Sequence, residues 1–447
     1  MTFIMEQIDK LLTQLNNLLI GKGEKQLSPR DQKIIQDSWA GQTYEDMNIP
    51  GYTTDYIKKM AAPSLWKKLS DLTGQRVTKK NLRLVLESVP KPSSFIPERT
   101  ESSPLFKLDL SDAPYVSDFY GRTNELAQLE EWIVTDHCPL VALLGITGIG
   151  KTALSAKLVE QIKDQFEYVI WRTLNHTPSV EELLSDLIQF LSNHQENPSS
   201  TTLDNLVSRL MYYLNQHRCL VVLDQVEAIL DAGQSSGIYK EGYQGYGNLL
   251  QSIGYKRHQS CLLLTSQEPP QEVKELVIRA GRIREFQLKG LRKEEAKALL
   301  SNYGLSKSVH GVGQLIDRYK GHPLALKIAV RTIQNCHNGK ISDFLKGSLF
   351  IGDVLLSLLD QQFYHLSDFD QELMNYLAMA TEPVSTQHLL AEFYSYPNRA
   401  TSEIKTSLNN LLQRSLIEKN YQDMGEVFFT LDPVIKKYLN KRLYQGG

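Results

Sequence analysis

Eight residues, GITGIGKT at Gly145–Thr152, have the types and spacing of a phosphate-binding loop. They fit G-x-x-x-x-G-K-[S/T], in which glycines let backbone N–H groups converge on phosphate oxygens at the positive end of a helix. The apolar run Val141–Leu144 precedes the loop and a helical period follows it from Lys151. In this pattern Lys151 reaches the β and γ phosphates and the Thr152 hydroxyl binds Mg²⁺. The loop residues of the predicted ATP/ADP site are Gly145, Ile146, Thr147, Gly148, Ile149, Gly150, Lys151, Thr152 and Ala153.

A second motif supplies the acid that such a loop needs for Mg²⁺. In CLVVLDQVE, Asp224 follows four apolar residues, which predicts a carboxylate at the end of a buried strand. A strand-ending Asp is by itself more often a turn cap, but here it follows the phosphate loop by some 70 residues. We therefore expect Thr152 and Asp224 to hold the metal.

Composition limits the class of protein. The chain has 447 residues, 41% of them hydrophobic and 22% charged, with a net charge of −2, which excludes a wholly disordered or fibrous protein. Near-neutral charge removes a whole-molecule argument for nucleic acid. The four cysteines form no C-x-x-C pair, and no run approaches 18 apolar residues. We expect a cytoplasmic protein with no membrane segment.

Apolar runs alternate with helical periods from residue 115 to 288, which predicts parallel strands covered on both faces. The predicted fold is multidomain: an all-α helix-turn-helix-like domain, an α/β core with a parallel sheet, a small helical domain and a C-terminal winged helix. The predicted ranges are 1–89 for the N-terminal domain, 90–114 for a Pro- and Ser-rich linker, 115–288 for the nucleotide-binding core, 289–347 for the helical domain and 348–447 for the winged helix.

Four further motifs resemble elements of the NB-ARC proteins, in the same order. They are DFYGRTNEL (118–126), CLLLTSQE (261–268), LKGL (288–291) and GHPLAL (321–326). The chain is thereby identified as a member of the STAND class of signal-transduction ATPases. The resemblance implies a switch between an ADP-bound closed monomer and an ATP-bound open oligomer. It also implies that Tyr120, Gly121 and Arg122 border the adenine and that Pro323 lies near the nucleotide.

Three positions depart from the family pattern. Where the family usually has a second acid after the strand-ending Asp, this chain has Gln225. The position of the arginine in the family's T-S-R motif holds Gln267. The position of the histidine in its M-H-D motif holds Leu431, within Thr430-Leu431-Asp432. Glu227 would lie on the same face as Gln225 if the strand continued, and is the predicted substitute acid. Because Gln can neither act as a base nor neutralise phosphate charge, we expect slow or absent hydrolysis with Lys151, Asp224 and Glu227 as catalytic groups. Gln267 is expected beside the γ-phosphate.

Residues 27–74 resemble a LuxR-type helix-turn-helix and closely resemble the block that precedes NB-ARC domains in cyanobacterial proteins. Between residues 58 and 83 eight basic residues face one acid, a local charge of +7. Lys58, Lys59, Lys67 and Lys68 are the predicted duplex DNA contacts. A tri-helical block is equally compatible with a protein adaptor, and Pro63 must kink the second helix or start a new one.

The leading interpretation is an ATP/ADP-switched regulator that forms an ATP-dependent homo-oligomer and controls this head. The alternative is an interaction scaffold that holds ADP, does not cycle and recruits protein partners. A metabolic kinase or motor would need an acceptor-site motif and an arginine finger, which we do not find. The C-terminal block is expected to close on the nucleotide rather than bind DNA. Since family members usually continue into repeats that sense the trigger, a protein partner is expected to supply the signal here.

Overall fold

The computed structural model describes residues 12, 15, 27–39, 42–73, 77–82, 85, 107–196, 201–231, 233, 235–305, 310–394, 400–421 and 426–445. The chain divides into two compact units, Met1–Ser102 and Ser103–Gly447. Among these described residues, no helix combines the length and hydropathy needed to cross a bilayer.

The first unit is helical. Helix α1 (Pro29–Trp39) has Pro29 at its first position, and the Ser28 hydroxyl accepts the Asp31 N–H at 3.2 Å. A second helical stretch comprises α2 (Thr54–Tyr56), a π-helical turn (Ile57–Ala61) and α3 (Ala62–Thr73). The π-helical turn ends two residues before Pro63, which has no backbone N–H to donate to the helical hydrogen-bond ladder. Apolar residues of these helices form the core of the unit.

The second unit is built on a six-stranded, all-parallel sheet of order β1-β3-β4-β5-β2-β6. Its strands are β1 (Lys107–Asp109), β2 (Leu140–Leu144), β3 (Tyr168–Thr173), β4 (Cys219–Asp224), β5 (Cys261–Ser266) and β6 (Ile283–Gln287). The apolar runs between residues 115 and 288 form β2 to β6, which confirms the predicted parallel-sheet core. The edge strand β1 lies within residues 90–114, the range predicted as linker. This strand has only three residues, two of them charged, so its sequence shows no apolar run that would predict a strand. The sheet therefore begins earlier in the chain than the apolar pattern indicates.

Helices cover both faces of this sheet. They are α4 (Thr123–Glu130), extended by a π-helical turn (Glu131–Thr135), α5 (Lys151–Ile162), α6 (Val180–Leu191), α7 (Leu203–Gln216), α8 (Gly245–Tyr255) and α9 (Gln271–Ala280). Successive strand residues face opposite ways: Val141 and Leu143 join one buried cluster, while Leu140 and Ala142 join the other. This two-sided burial explains why the strands read as continuous apolar runs.

The remaining elements form a mainly helical region. They are α10 (Lys293–Asn302), α11 (Val312–Arg318), α12 (Pro323–Cys336), α13 (Ile341–Lys346), α14 (Asp353–Tyr364), α15 (Asp368–Met379), α16 (Thr386–Tyr394), α17 (Thr401–Gln413) and α18 (Pro433–Gln445). A small antiparallel sheet of order β7-β9-β8 contains β7 (Val384–Ser385), β8 (Ile417–Tyr421) and β9 (Val427–Leu431). The winged-helix assignment of this last part stays a prediction.

Candidate functional site

The phosphate-binding loop connects β2 to α5, as its sequence predicts. Leu144 ends the strand, Lys151 begins the helix, and Gly148 has a φ of +73°. A Cβ at Gly148 would lie 2.9 Å from Leu324 Cδ2 and 3.0 Å from His322 Cε1. Both its backbone conformation and its close approach to the start of α12 therefore require glycine. The loop and the first turn of α12 are consequently in direct contact.

The Lys151 ammonium is buried within this loop. Its Nζ donates to Gly145 O at 2.7 Å and to Ile146 O at 3.3 Å. Burial lowers the pKa of Lys151, and the nearby carboxylates of Glu227 and Asp224 oppose that shift. A cation held by backbone carbonyls in a low-dielectric site is suited to meeting an anionic ligand.

Asp224 ends β4 and organises two hydroxyl groups. Its Oδ1 accepts from Thr152 Oγ1 at 2.9 Å and from Thr265 Oγ1, on the neighbouring strand β5, at 2.5 Å. Thr152 starts α5 next to Lys151, so the parallel sheet brings the two predicted metal ligands together. Hydroxyl and carboxylate oxygens are ligands that Mg²⁺ accepts, and one or two protein ligands beside phosphates are typical for this metal. The donor set fits the predicted Mg²⁺ site.

The strand ends at Asp224, so the condition under which Glu227 would share a face with Gln225 is not met. Gln225 has a φ of +62°, and Val226–Ile229 form a 3₁₀ turn. The turn nevertheless places Glu227 in the cavity wall, which Gln267 also lines. Burial raises the pKa of Glu227, and Lys151 opposes that shift.

The segment Gly121–Arg122 of the DFYGRTNEL motif packs against α10. Arg122 is buried, and its guanidinium donates to Glu125 Oε1 at 3.0 Å and to Ile149 O of the loop at 3.2 Å. Its backbone N–H donates to Glu295 Oε1 at 2.9 Å. Gly121 has a φ of +67°, and a Cβ there would lie 2.3 Å from Glu295 Cγ. Only glycine fits this approach to α10.

His322 links GHPLAL to the phosphate-binding loop. Its Nδ1 accepts the Ala325 N–H at 3.2 Å and caps α12, so the ring proton is assigned to Nε2, which donates to Thr147 O at 3.1 Å. Burial lowers the pKa of His322 to about 4. Of this motif only Pro323 is predicted to lie near the nucleotide, and the contact of His322 with the phosphate-binding loop is a feature that the sequence pattern does not indicate.

A buried ion pair joins the C-terminal part to the core. Arg414, which follows α17, donates from Nε to Glu268 Oε2 at 3.1 Å, and its Nη1 lies 3.8 Å from Asp370 Oδ2. Glu268 Oε2 also accepts the Gly237 N–H at 2.9 Å. Glu268 follows β5 directly after Gln267. The charges of residues far apart in sequence thus meet beside the end of the sheet.

These groups surround a cavity of about 700 Å³. Predicted site residues in its wall are Tyr120, Arg122, Thr147, Gly148, Ile149, Gly150, Lys151, Thr152, Ala153, Glu227, Gln267 and Pro323. Four predicted residues lie outside the wall. Gly121 faces Glu295, and Asp224 lies behind Thr152. The backbone carbonyls of Gly145 and Ile146 accept hydrogen bonds from the Lys151 ammonium. Arg414 and Gln362 line the cavity and are residues that sequence analysis does not assign to the site.

The M-H-D-like element occupies a different place. Leu431 ends β9 and is buried, and neither Leu431 nor Asp432 lies in the cavity wall. Burial raises the pKa of Asp432 to about 6, and its Oδ1 accepts the Val434 N–H at 2.8 Å, at the start of α18. Among the described residues of this C-terminal part, Arg414 is the cation in the cavity wall.

The four lysines predicted to contact DNA lie on the second helical stretch of the first unit. Lys58 pairs with Glu45 at 2.8 Å and Lys59 with Asp55 at 2.9 Å, and both pairs are solvent-exposed. These two acids precede the stretch over which the sequence charge was counted, so the local excess is smaller than +7 around Lys58 and Lys59. Lys67 is exposed and Lys68 half-buried on α3, while Arg76 and Arg83 lie outside the described residues.

Comparison with known proteins assigns both parts of the chain. Residues 122–310 match the NB-ARC domain model, and residues 6–89 match the model of the vWA-MoxR associated protein N-terminal HTH. Over 349 residues the chain is 41% identical to an uncharacterized WD repeat-containing protein of Nostoc sp., covering 75% of this chain and 27% of that protein. Disease resistance protein RRS1B of Arabidopsis thaliana is 26% identical over 50% of this chain and 16% of its own length.

The chain therefore spans about a quarter or less of the length of these relatives. Among solved structures it is similar to a STAND protein with a tetratricopeptide repeat sensor from Pyrococcus horikoshii, with 18% identity, a TM-score of 0.40 and coverage of 74% of this chain and 43% of that chain. A Walker-type ATPase of Pyrococcus abyssi has 16% identity and a TM-score of 0.49, with coverage of 72% and 96%. On these matches the chain contains an NB-ARC domain, a P-loop nucleotide-binding domain, and an N-terminal helix-turn-helix domain, and its motifs resemble those of the STAND class.

Proposed function

We propose that this chain is an ATP/ADP-switched signal-transduction regulator in which nucleotide binding controls the N-terminal head. One observation carries the proposal: the cavity wall combines Lys151 of the phosphate-binding loop, Pro323 of α12 and Arg414 beside α17. A ligand in this cavity touches the core, the helical part and the C-terminal part together. Its chemical state can therefore change how these parts hold to one another.

The nucleotide contacts follow from the chemistry of the wall. Lys151 and the loop amides meet the phosphates, and Tyr120, Arg122 and Pro323 border the adenine side, as the family resemblance implies. Gly121 lies outside the wall and allows this segment to approach α10 closely. Thr152 and Asp224 would hold Mg²⁺, which neutralises charge on the phosphate oxygens when bound. Gln267 lies beside the terminal phosphate. We propose that the domains have the ranges predicted from the sequence: the core 115–288, the helical domain 289–347 and the winged helix 348–447.

Hydrolysis is slow in this proposal because the catalytic groups are incomplete. Gln225 and Gln267 are neutral, so neither can activate water as a base or stabilise developing phosphate charge. Glu227 is the acid nearest to this role, and its burial favours the protonated form, which cannot accept a proton. The bound nucleotide then persists long enough to act as a signal.

The proposed switch is release of the C-terminal part of the chain from the nucleotide-binding core. In addition to Arg414–Glu268, the C-terminal part holds the core through Asn410 Oδ1, which accepts the Ser236 N–H at 3.2 Å, and Lys320 pairs with Glu418 at 2.7 Å. ATP·Mg²⁺ favours an open form that assembles into a homo-oligomer, and ADP favours the closed monomer. A protein partner supplies the trigger.

The N-terminal head is the output in this proposal. Its helix-turn-helix match and its lysines support binding to duplex DNA in the cytoplasm, strengthened when several heads are joined in one oligomer. The paired state of Lys58 and Lys59 favours a second candidate for the head, an adaptor for protein partners.

The test is the nucleotide content and particle mass of the purified full chain. Nucleotide released by denaturation is identified, and native mass is measured with ATP·Mg²⁺ and with ADP. The regulator is supported by bound adenine nucleotide and a larger particle with ATP than with ADP. Bound ADP with one mass under both conditions instead supports the alternative, a non-cycling ADP-holding scaffold. Absence of any bound or binding nucleotide contradicts both.

A further inference from the structure

His322 connects two parts of the chain through the two nitrogens of one buried ring. Its Nδ1 accepts the Ala325 N–H at 3.2 Å within α12, and its Nε2 lies 3.1 Å from Thr147 O in the phosphate-binding loop. A helix cap alone does not require histidine, since Ser, Asn or Asp supplies the acceptor with a single oxygen. The contact of the second nitrogen with the loop is therefore a feature that capping does not explain.

The carbonyl that His322 contacts fixes the direction of the next amide group. Thr147 O and the Gly148 N–H belong to one planar trans peptide, in which C=O and N–H point in opposite directions. The Gly148 N–H therefore points away from His322. This N–H donates to no acceptor among the described residues, although Gly148 lies in the cavity wall. Backbone N–H groups of such loops are the donors that bind phosphate oxygens.

Glycine at position 148 makes this peptide easy to turn over. Gly148 has a φ of +73°, and glycine adopts positive and negative φ about equally readily. A turned-over peptide would point its carbonyl oxygen where the N–H now points, and that oxygen would repel a phosphate. A contact from outside the loop is needed to favour one orientation, and His322 makes it. Because burial lowers the pKa of His322 to about 4, its ring is neutral at pH 7, with one nitrogen to accept and one to donate.

We propose that His322 is a positioning residue of the phosphate site, which holds Thr147 O and thereby turns the Gly148 N–H toward the phosphates. The inference rests on the proposed function, because it takes the cavity to be a nucleotide site. Since the same ring caps α12, the orientation of the loop peptide depends on the position of α12. Movement of α12 away from the loop would release the carbonyl and weaken phosphate binding.

The test uses two variants of the full chain that separate the two hydrogen bonds. The side-chain amide of Asn ends near the position of Nδ1 in histidine, and that of Gln ends near the position of Nε2. His322→Asn therefore keeps the acceptor for α12 and loses the donor to Thr147 O, whereas His322→Gln keeps the donor and loses the cap. His322→Gln should thus be the less stable variant in urea unfolding.

Phosphate affinity should follow the opposite order. His322→Asn is expected to weaken binding of ADP and of inorganic pyrophosphate by the same factor, about 10-fold, and His322→Gln to restore most of that loss. His258→Asn is the matched control. The His258 Nε2 lies 2.9 Å from Ile253 O and its Nδ1 accepts the Ser260 N–H at 3.2 Å, so this ring makes the same two kinds of contact outside the cavity wall.

Affinities measured by calorimetry or by competition with a labelled nucleotide decide the inference. A loss in His322→Asn that ADP and pyrophosphate share, with recovery in His322→Gln, supports it. Unchanged affinities, a loss confined to ADP, losses that follow the stabilities of the two variants, or an equal loss in His258→Asn overturn it. A wild type that binds no adenine nucleotide contradicts the proposed function itself, whereas wild-type binding with any of these four results overturns the inference alone.

Discussion

Arg414 and Glu268 form an ion pair that connects the residue after α17 to the residue that follows Gln267 in sequence. Their side chains are 3% and 7% exposed, and Nε lies 3.1 Å from Oε2. Removing one partner of a buried pair leaves the other charge uncompensated, which costs about 3–5 kcal/mol. Removing both leaves no charge at either position, and only Asp370, 3.8 Å from Arg414, then lacks its cation. The pair therefore couples the C-terminal part to the core more strongly than its exposed counterparts do.

We expect Arg414→Gln and Glu268→Gln each to lower the unfolding free energy, and the double variant to be less destabilised than their sum by about 1–3 kcal/mol. Glutamine at 268 keeps an acceptor for the Gly237 N–H. The free energies come from urea unfolding. The exposed Lys320–Glu418 pair is the matched control, and its coupling should stay below about 1 kcal/mol. Additive effects at Arg414 and Glu268 would contradict the coupling.

Lys151→Ala should weaken binding of ATP and ADP by about 2–4 kcal/mol, because a buried charge-assisted contact to phosphate is lost. Isothermal calorimetry with each nucleotide measures the change. Lys157→Ala is the control on the same helix, since Lys157 is partly exposed and pairs with Glu160 at 2.7 Å. Wild-type affinity in Lys151→Ala would refute the assignment of the loop.

ATP turnover by the unmodified chain should be well below about one per second, since typical enzyme turnover is on the order of 10 per second and two charged groups are missing here. Gln267→Arg should accelerate phosphate release if the terminal phosphate lies beside residue 267. Gln271→Arg, at the exposed start of α9, adds the same charge away from the cavity and should change nothing. Rapid multiple turnover by the wild type would show that the site is complete.

The unfolding free energy of the chain should depend on pH, because buried His322 resists protonation in the folded state. Its pKa is lowered to about 4 in the fold, from 6.5 in the unfolded chain. Between these values the unfolded state binds more protons, so stability falls as pH falls from 6.5 to 4, by on the order of 3 kcal/mol.

His322→Asn keeps a cap for α12 and removes the titrating ring, so it should flatten this part of the curve of melting temperature against pH. Comparing the two curves cancels other groups, including Asp432, whose raised pKa of about 6 contributes with the opposite sign. His310→Asn, at an exposed position, should leave the slope unchanged. Parallel curves for wild type and His322→Asn would contradict the prediction.

Binding of a mixed-sequence DNA duplex should be tighter with ATP than with ADP and should fall with salt at a log–log slope of about −4 to −5 per head. Replacing Lys58, Lys59, Lys67 and Lys68 by Ala should weaken it and leave nucleotide affinity intact. Alanine at exposed Lys256, Lys289, Lys340 and Lys405 is the control for a change of charge alone. If no duplex binds at low salt with ATP present, the head is an adaptor.

Local sequence patterns predict the central fold because the strands are continuous apolar runs and the phosphate loop has fixed spacing. They also locate Asp224 correctly, because an acid at the carboxyl end of a parallel strand lies at the same sheet edge as the phosphate-binding loop. The pattern fails at Gln225, where a left-handed residue ends the strand and removes the alternation expected for Glu227. That conformation depends on contacts such as Gln225 N–H to Thr265 Oγ1 at 3.0 Å, which belong to another strand.

Arg414 and Gln362 escape sequence reasoning for a related reason. Arg414 lies 146 residues from Glu268, so nothing in its own neighbourhood marks it as part of the site. Gln362 resembles any polar residue on an amphipathic helix until its burial is known. The β1 strand is missed because its partner β3, rather than its own composition, makes it a strand.

The cavity wall is drawn from residues 118 to 414, and this spread has a consequence for synthesis of the protein. The sheet and the phosphate-binding loop emerge from the ribosome well before α14 and α17. A nascent chain that has folded only its core has the phosphate-binding loop but lacks the wall residues Gln362 and Arg414. The wall of the cavity is therefore completed only after synthesis has passed residue 414, so it forms late in folding.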